Sequence, residues 1–457
     1  MLEQIAFVLV FIAGVSLFAL RIKAIRRNIL LGRDLDRSDQ PGARWKTMAL
    51  VALGQSKMVV RPVAGLMHIL IYLGFVIINI EVLEIIIDGV TGHHRIFSGL
   101  GSIYDFLIGS FEILAFGVVF SCVIFLLRRN VIRIKRFHAA EMTKWPTSDA
   151  NIILVVEILL MFAFLSMNAC DDLLQQALSA SIAEGAEVST QLSHYVSAGS
   201  FPVSQFLMPL YDGLSVEGLI FVERFMWWFH IVGILAFLVY VPYSKHFHIF
   251  LAFPNTYYSN LEAKGAFTNM EAVTKEVQLM MDPSADPFAA PAPDAADAPP
   301  ARFGAKDAND LTWKQLMDSY SCTECGRCTS QCPANQTGKL LSPRKIMMDT
   351  RDRIEEIGKN IDQNKGEFKD DGKSLIRDFI SEEELWACTS CNACVEACPV
   401  NIDPLSIIVD LRRYLIMEES KSPESITAMF NNIENNGAPW AFPASDRGNW
   451  TQEMNEA

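Results

Sequence analysis

Five long apolar stretches in the first 255 residues place the strongest constraint on the fold of this chain. They are Ile5–Leu20, Pro62–Ile87, Ile103–Leu127, Ile152–Ala169 and Leu219–Tyr240. Each approaches or exceeds the roughly 20 residues that an α-helix needs to cross a bilayer. The first stretch follows Glu3 rather than a basic segment and lacks a small-residue cleavage site, so it is typical of a retained helix and not of a signal peptide. The sequence therefore predicts a bundle of five transmembrane helices in residues 1–255.

The charge of the connecting segments predicts the orientation of these helices. Ten Lys and Arg lie in Arg21–Arg61 and six in Arg128–Asp149, whereas Asp171–Val216 contains none. By the positive-inside rule, the two basic segments lie in the cytosol. We therefore expect a multi-pass protein of a bacterial or archaeal cytoplasmic membrane, with its N-terminus outside and the residues after the fifth span inside.

Two cysteine runs dominate the second half of the chain. The first contains Cys322, Cys325, Cys328 and Cys332, the second contains Cys388, Cys391, Cys394 and Cys398, and proline follows each run. The spacing C-x2-C-x2-C-x3-C-P is typical of proteins with two [4Fe–4S] clusters, in which the last cysteine of each run binds the other cluster. We therefore expect one cluster on Cys322, Cys325, Cys328 and Cys398, and the second on Cys388, Cys391, Cys394 and Cys332.

Two alternatives for the cysteines are structural zinc sites and a disulfide framework. Zinc usually takes two spaced pairs rather than a triplet plus one, and disulfides do not favour a repeated triplet. Cluster ligands must stay reduced, which places this half in the cytosol and agrees with the predicted topology. The net charge of -13 argues against nucleic acid as a partner.

The remaining patterns divide the chain into an all-α arrangement of four parts. After the membrane domain, we expect residues 256–306 to contain a surface helix over Asn255–Met281 and a Pro/Ala-rich linker that tethers the next domain. Residues 307–420 predict an α-helical ferredoxin domain, with helices opened by Ser342-Pro343 and Asp403-Pro404. Residues 421–457 form a tail that is either an extended docking segment or disordered.

Histidines in the apolar stretches are candidate haem ligands, because a histidine in a membrane helix is costly unless it is paired or ligated. If the fifth helix continues through Pro242, His230 and His248 lie five turns apart on one face. This arrangement would suit two stacked b haems, the inner one on His68 and His248. His246 is an alternative to His248. The partners considered for His230 in the outer haem are His94, His93 and, more weakly, His194. Hydrogen-bonded helix histidines are the alternative to ligands.

Acidic residues near the outer ends of the spans are candidates for a quinone site. Oxidation of a quinol needs a proton acceptor beside the ring, and Glu84, Asp88 and Glu223 are positioned for this role. The alternative is an ion pair such as Glu84 with Arg224 that holds two helices together.

These features resemble two known families. His68, the 18-residue spacing of His230 and His248, and the segment Pro242-Tyr-Ser-Lys-His-Phe-His248 are similar to the gamma subunit of respiratory nitrate reductase and the cytochrome b subunit of heterodisulfide reductase. The cysteine half resembles the small iron–sulfur subunit of heterodisulfide reductase. One departure is Ile78, which stands where the nitrate reductase pattern has a second histidine in the second helix.

The resemblance implies a membrane electron-transfer subunit with two [4Fe–4S] clusters and one or two b haems. It would exchange electrons between the membrane quinone pool and a cytosolic catalytic partner, an iron–sulfur or flavin oxidoreductase subunit. The alternative is a membrane-tethered iron–sulfur redox sensor or scaffold without haem.

Overall fold

The computed structural model describes residues 1–284 and 302–456 of the chain. Within these ranges helices are the only extended regular elements, and the only bridges are two isolated pairs, Arg33 with Thr312 and Ile376 with Ile380. The predicted all-α class is confirmed. Residues 285–301, which contain most of the predicted Pro/Ala linker, lie outside the described residues.

The first half consists of five long apolar helices and two short ones. They are α1 (Leu2–Ile29), α2 (Pro41–Met48), α3 (Pro62–Thr91), α4 (Ser102–Leu126), α5 (Trp145–Ala183), α6 (Val216–Tyr240) and α7 (His248–Tyr257). Among the described residues, α1, α3, α4, α5 and α6 are long and apolar enough to cross a membrane. The five predicted spans are therefore confirmed as helices. They pack in the order α3, α4, α5, α6, α1 and close the ring where α1 meets α3.

Local sequence sets several helix boundaries. Pro62 occupies the first turn of α3, where its missing N–H costs nothing, and Gly92 ends the same helix in a left-handed conformation. The Ser215 side chain accepts a hydrogen bond from Gly218 N and caps the start of α6.

The fifth span does not continue as one helix through Pro242, so the condition for placing His230 and His248 on one helical face is not met. Helix α6 ends at Tyr240 and is followed by two 3₁₀ turns, of which the first contains Pro242. Pro242 has no N–H to give, and the Ser244 side chain accepts from His246 N to start the second turn. His248 then opens α7 as a separate helix, so His230 and His248 are not on one continuous helical face.

The second half consists of shorter helices. They are α8 (Glu271–Met281), α9 (Trp313–Ser321), α10 (Arg327–Gln331), α11 (Pro333–Gln336), α12 (Pro343–Gln363), α13 (Glu382–Trp386), α14 (Ala393–Ala397), α15 (Pro404–Met417), α16 (Glu424–Asn436) and α17 (Asn449–Glu456). Ser342 and Asp403 cap α12 and α15, and both helices begin with the predicted proline. The predicted helical spacer between the cysteine runs is confirmed.

Two smaller predictions about this half are wrong. The surface helix expected over Asn255–Met281 is limited to α8, because α7 ends at Tyr257 and residues 258–270 form turns and irregular backbone. The tail is neither extended nor without structure, since α16 and α17 occupy most of it.

The two halves pack directly against each other, so the expectation of a merely tethered cluster domain is also wrong. Ile25 and Ile29 of α1, together with Val241 and Phe247, belong to the same hydrophobic core as the buried residues of α9, α12 and α15. The side chain of Asn28, which is 1% exposed, donates to the hydroxyl of Tyr320 at 3.0 Å. Because these apolar groups are removed from water at the contact, the docked arrangement is more stable than two halves joined only by a flexible linker.

Polar contacts show which end of the membrane bundle meets the cysteine half. Arg344 is fully buried and bonds Glu141 at 2.7 Å, in the segment between α4 and α5. Lys245, just after α6, pairs with Glu324, and Lys57, just before α3, contacts the second cysteine run. Both basic segments and the end of the fifth span therefore lie at one end of the bundle. Which side of the membrane that end faces stays a prediction.

Gly32→Ala is expected to destabilise the contact between the halves. A Cβ at Gly32 would lie 2.6 Å from Trp313 N and 2.7 Å from Thr312 C, which are backbone atoms that cannot rotate away. Overpacking of this kind costs about 1–3 kcal/mol, so the detergent-solubilised protein should unfold at a lower temperature by circular dichroism. Gly42→Ala is the matched control, since nothing lies within 4 Å of its added Cβ. Equal melting of both variants and the wild type would contradict the described docking.

Candidate functional site

The two cysteine runs fold in the same way, each as a loop between two helices. Glu324 and Gly326 in the first run, and Ser390 and Asn392 in the second, have left-handed backbone at matching positions. This conformation is uncommon for residues other than glycine and curls each loop around its thiols. The short helices α10 and α14 that follow pack against each other.

The last cysteine of each run lies near thiols of the other run. Burial raises the pKa of Cys398 to about 12, and the nearby thiolate of Cys325, from the other run, adds to the shift. Burial likewise raises the pKa of Cys388, and Cys332 from the first run contributes next to Cys391. These two neighbours are compatible with the predicted exchange, Cys398 with the first run and Cys332 with the second, and the full ligand sets stay a prediction.

The eight thiols suit iron–sulfur clusters, whose usual ligands are cysteine thiolates. The ten cysteines form no disulfide, and in residues 1–284 and 302–456 no three His, Cys, Asp or Glu side chains converge on a single point. Backbone N–H groups of Ser390 and Ile402 point at the Cys388 and Cys398 sulfurs, at 3.4 and 3.3 Å. Such contacts stabilise thiolate ligands and tune cluster potentials.

We call Cys322, Cys325, Cys328 and Cys398 the first thiol set and Cys388, Cys391, Cys394 and Cys332 the second. The first set lies against the membrane half. Lys57 Nζ donates to the carbonyl oxygens of Glu396 and Cys398, both at 3.3 Å, and Arg327 Nη1 donates to the carbonyl oxygen of Lys57 at 2.9 Å. The second set reaches the surface, because Cys391 is exposed.

The same contacts connect the first thiol set to two histidines. His68 lies in the second turn of α3, just after the Lys57 loop. His248 begins α7, and near the end of that helix Asn255 Nδ2 donates to the carbonyl oxygen of Val400 at 2.9 Å, two residues after Cys398. Sequence reasoning missed Lys57 and Arg327, because their partners lie about 270 to 340 residues away along the chain.

A cavity of about 330 Å³ inside the helix bundle brings four histidines together. Its walls come from α3, α4, α5, α6 and α7, and they are largely apolar. The titratable side chains that line it are His68, His230, His246, His248, Glu157, Tyr72 and Cys122.

The geometry of His68 and His248 fits a shared metal. Their ring centroids are 6.4 Å apart, and imidazoles bound to opposite faces of one metal through bonds of about 2 Å have centroids roughly 6 Å apart. His248 Nδ1 donates to the carbonyl oxygen of Lys245 at 3.0 Å, which leaves Nε2 unprotonated for a metal. His246 is at 5.5 Å from His248, with the two rings nearly perpendicular.

His94, predicted as the partner of His230, does not line this cavity. Its Nε2 lies 3.2 Å from Asp171 Oδ2, although the angle does not make a hydrogen bond, and its ring packs on Tyr195 at 4.7 Å. The structure therefore places His94 in a separate polar cluster at the far end of the bundle and does not bring it to His230.

The three predicted quinone-site carboxylates have structural partners in that polar cluster. Asp88 accepts from the backbone of Arg95 and Ile96, and Glu84 accepts from Phe97 N and from the hydroxyl of Tyr104, both at 2.8 Å. These bonds fix the turn that follows α3.

The alternative of a Glu84–Arg224 ion pair is wrong as well. Arg224 pairs with its neighbour Glu223, which also accepts from the hydroxyl of Tyr195 at 2.9 Å. The carboxylate of Glu223 is thus held by two structural donors, Arg224 and Tyr195.

Comparison with known proteins supports iron–sulfur clusters in the second half of the chain. The model of the 4Fe-4S dicluster domain matches residues 321–402. The second half contains a two-cluster iron–sulfur domain. One component of the ferredoxin/F(420)H(2)-dependent CoB-CoM heterodisulfide reductase of Methanosarcina acetivorans is 31% identical over 24% of this chain and 53% of its own length. The predicted likeness to heterodisulfide reductase is confirmed for this half, while the likeness to the nitrate reductase gamma subunit stays a prediction.

Two relatives match nearly the whole chain. The probable iron-sulfur-binding oxidoreductase FadF of Bacillus subtilis is 26% identical over 100% of this chain and 61% of its own length. The EtfAB:quinone oxidoreductase of Syntrophomonas wolfei is 26% identical over 93% of this chain and 56% of its own length. The chain thus spans little more than half the length of these relatives. Their names support an electron-transfer role. No solved structure matches the chain.

Proposed function

We propose that this chain is a membrane-bound electron-transfer subunit that links a quinone pool, haem b and two [4Fe–4S] clusters with a cytosolic oxidoreductase. The observation that carries the proposal is contact: the first thiol set lies directly on the elements that hold His68 and His248. The bound clusters and haem would supply reversible one-electron chemistry. The residues of the chain position these groups and tune their potentials.

His68 and His248 are the proposed ligands of one haem b at the cysteine-facing end of the cavity. The carbonyl oxygen of Lys245 orients the His248 ring and makes its other nitrogen a better ligand. Apolar walls, including Ile249 and Phe253, keep water out of the site and favour a bound porphyrin.

Lys57 and Arg327 have a proposed double role beside the first thiol set. They hold the loop before α3 to both cysteine runs. Their positive charge also stabilises the more negative, reduced state of a cluster, since net charge and hydrogen bonding set the potentials of such centres. The first set therefore faces the membrane donor or acceptor, and the second set faces outward.

The exposed second thiol set is the proposed point of exchange with the soluble partner. Cys391 is the one exposed cysteine, so a partner protein can approach this cluster most closely. Relatives named as heterodisulfide reductase subunits favour a catalytic oxidoreductase partner, and the proposed partner is the iron–sulfur or flavin oxidoreductase subunit that the resemblance implies. The proposed location is a bacterial or archaeal cytoplasmic membrane, with the cysteine half in the cytosol.

The proposal is tested by visible spectra and metal counts of the purified protein. We expect about 8 iron atoms per chain in clusters and the absorbance of a b-type haem. Added decyl-naphthoquinol should reduce this haem and give the spectrum of its reduced form. A protein with cluster iron but no b-type absorbance would overturn the haem assignment and favour a sensor or scaffold. A haem that is neither reduced by quinol nor oxidised by quinone would overturn the link to the quinone pool.

A further inference from the structure

The cavity continues beyond His68 and His248 into an outer part that the haem ligands do not explain. We call outer pocket the part lined by His230, Glu157, Asn79, Ile78 and Met161. His230 lies on α6 ten residues before its end, so it is about 15 Å further along the bundle than Tyr240. The other three cavity histidines are grouped at the opposite end. The ring centroid of His248 lies 6.4 Å from that of His68 and 5.5 Å from that of His246.

His230 presents an unpaired acceptor to the outer pocket. Its Nδ1 lies 2.9 Å from the carbonyl oxygen of Leu160, and a carbonyl only accepts, so Nδ1 carries the proton. In neutral imidazole the other nitrogen, Nε2, is then an acceptor. His230 is 1% exposed, and Nε2 has no hydrogen-bond partner among the described residues. A buried acceptor without a donor is costly, which indicates that a ligand supplies one.

Glu157 lies on the same wall of the pocket. It precedes Leu160 by three residues on α5, so the two share a face and are about 4.5 Å apart along the helix. In residues 1–284 and 302–456, no cation or hydrogen-bond donor contacts its carboxyl group. A carboxyl group inside a membrane helix without a partner is a functional candidate.

The outer pocket does not offer a second haem ligand opposite His230. The residues that face it from α3 are Ile78, Asn79 and Val82, and His94 lies outside the cavity. The pocket is open toward the lipid side of α3 instead, because Phe75, Val76 and Asn79 both line the cavity and are exposed. A lipid-soluble molecule with polar groups on a flat ring suits such an opening.

We propose that the outer pocket binds the hydroquinone head group of a membrane quinol and favours it over the oxidised quinone. A hydroquinone has two hydroxyl donors, one for His230 Nε2 and one for the Glu157 carboxylate. A quinone has only carbonyl acceptors and leaves His230 Nε2 unsatisfied, so it binds more weakly. This inference rests on the proposed function, since it assumes that the chain works on the quinone pool, and it moves the quinone site from Glu84, Asp88 and Glu223 to the cavity.

The test is calorimetric titration of the full-length protein in detergent with decyl-naphthoquinol, under reducing and anaerobic conditions, and with the corresponding quinone. We expect the wild type to bind quinol about 10-fold more tightly than quinone, and His230→Leu and Glu157→Gln each to weaken quinol binding by about 10-fold. The controls are His194→Leu and Glu217→Gln, which change exposed residues outside the cavity. All four variants should keep the wild-type haem content, which also shows that they are folded.

The outcomes separate this inference from the proposed function. A wild type that binds neither form overturns the link to the quinone pool and this site with it. A wild type that binds quinol, with both cavity variants equal to it, overturns the site alone. Loss of haem in His230→Leu would identify His230 as a haem ligand and overturn the quinol site. Equal affinity of the wild type for quinol and quinone would overturn the proposed selectivity.

Discussion

The double variant Cys332→Ser/Cys398→Ser is expected to lose almost all of its iron, whereas Cys322→Ser/Cys398→Ser is expected to keep about half of it. The reason is the predicted exchange of the last cysteine between the runs. Cys322 and Cys398 belong to one thiol set, so their joint loss removes one cluster. Cys332 and Cys398 belong to different sets, so their joint loss damages both.

Iron and acid-labile sulfide per chain, measured on anaerobically purified protein, distinguish the two cases. The expected values are about 4 iron atoms for the first-set variant and near zero for the crossed variant, against about 8 for the wild type. Cys170→Ala is the control, because Cys170 is buried in α5 and belongs to neither set. If each run instead bound its own cluster, Cys322→Ser/Cys398→Ser would lose both clusters and contradict the assignment.

The parts of the structure that could be predicted are those written in short stretches of sequence. Hydropathy over about 20 residues identifies each spanning helix, and the Ser342-Pro343 and Asp403-Pro404 pairs identify helix starts, since cap and first turn are neighbours. The spacing of the cysteine runs predicts two clusters, and the match to a dicluster domain supports them. All of these rest on interactions within a few residues or on a repeated pattern.

The docking of the two halves could not be predicted, because it depends on pairs far apart in the chain. Asn28 meets Tyr320, and Lys57 meets Cys398, across separations of 292 and 341 residues. A Pro/Ala-rich segment is compatible with either a loose or a docked domain. The docked arrangement also depends on apolar side chains such as Ile25 near the end of α1 and Phe247 after α6, which lie outside the predicted spans and have no partner that the sequence would indicate.

The acidic residues show the same limit within the membrane half. In the sequence, Asp88 and Glu84 are candidates for proton transfer because they are acidic residues near the outer end of a span. In the structure, their carboxylates accept hydrogen bonds from backbone N–H groups of the turn after α3. The sequence does not tell which carboxyl group has a backbone partner and which, like Glu157, has none. Likewise, Pro242 signals a possible helix break, but the change of direction that brings His248 next to His68 depends on the packing of α7 against α9.

His68→Ala and His248→Ala are each expected to abolish the b-type absorbance, whereas His246→Ala is expected to retain it. A haem held by two histidines loses its low-spin character and most of its affinity when either ligand is removed. The ring spacing of 6.4 Å between His68 and His248 suits opposite faces of one haem, and Lys245 orients His248 through its carbonyl oxygen. The ring of His246 instead packs on Phe237 at 5.4 Å.

The measurement is the reduced-minus-oxidised spectrum of each variant, together with its iron content. Cluster iron should stay at about 8 atoms per chain in all three variants, because neither His68 nor His248 touches a thiol and the loops around the first set do not depend on the imidazoles. Retention of full absorbance in His248→Ala with its loss in His246→Ala would reverse the assignment of the two neighbours. Retention in both His68→Ala and His248→Ala would remove the haem from this end of the cavity, and the link between the membrane and the first thiol set would then have to run through the quinone itself.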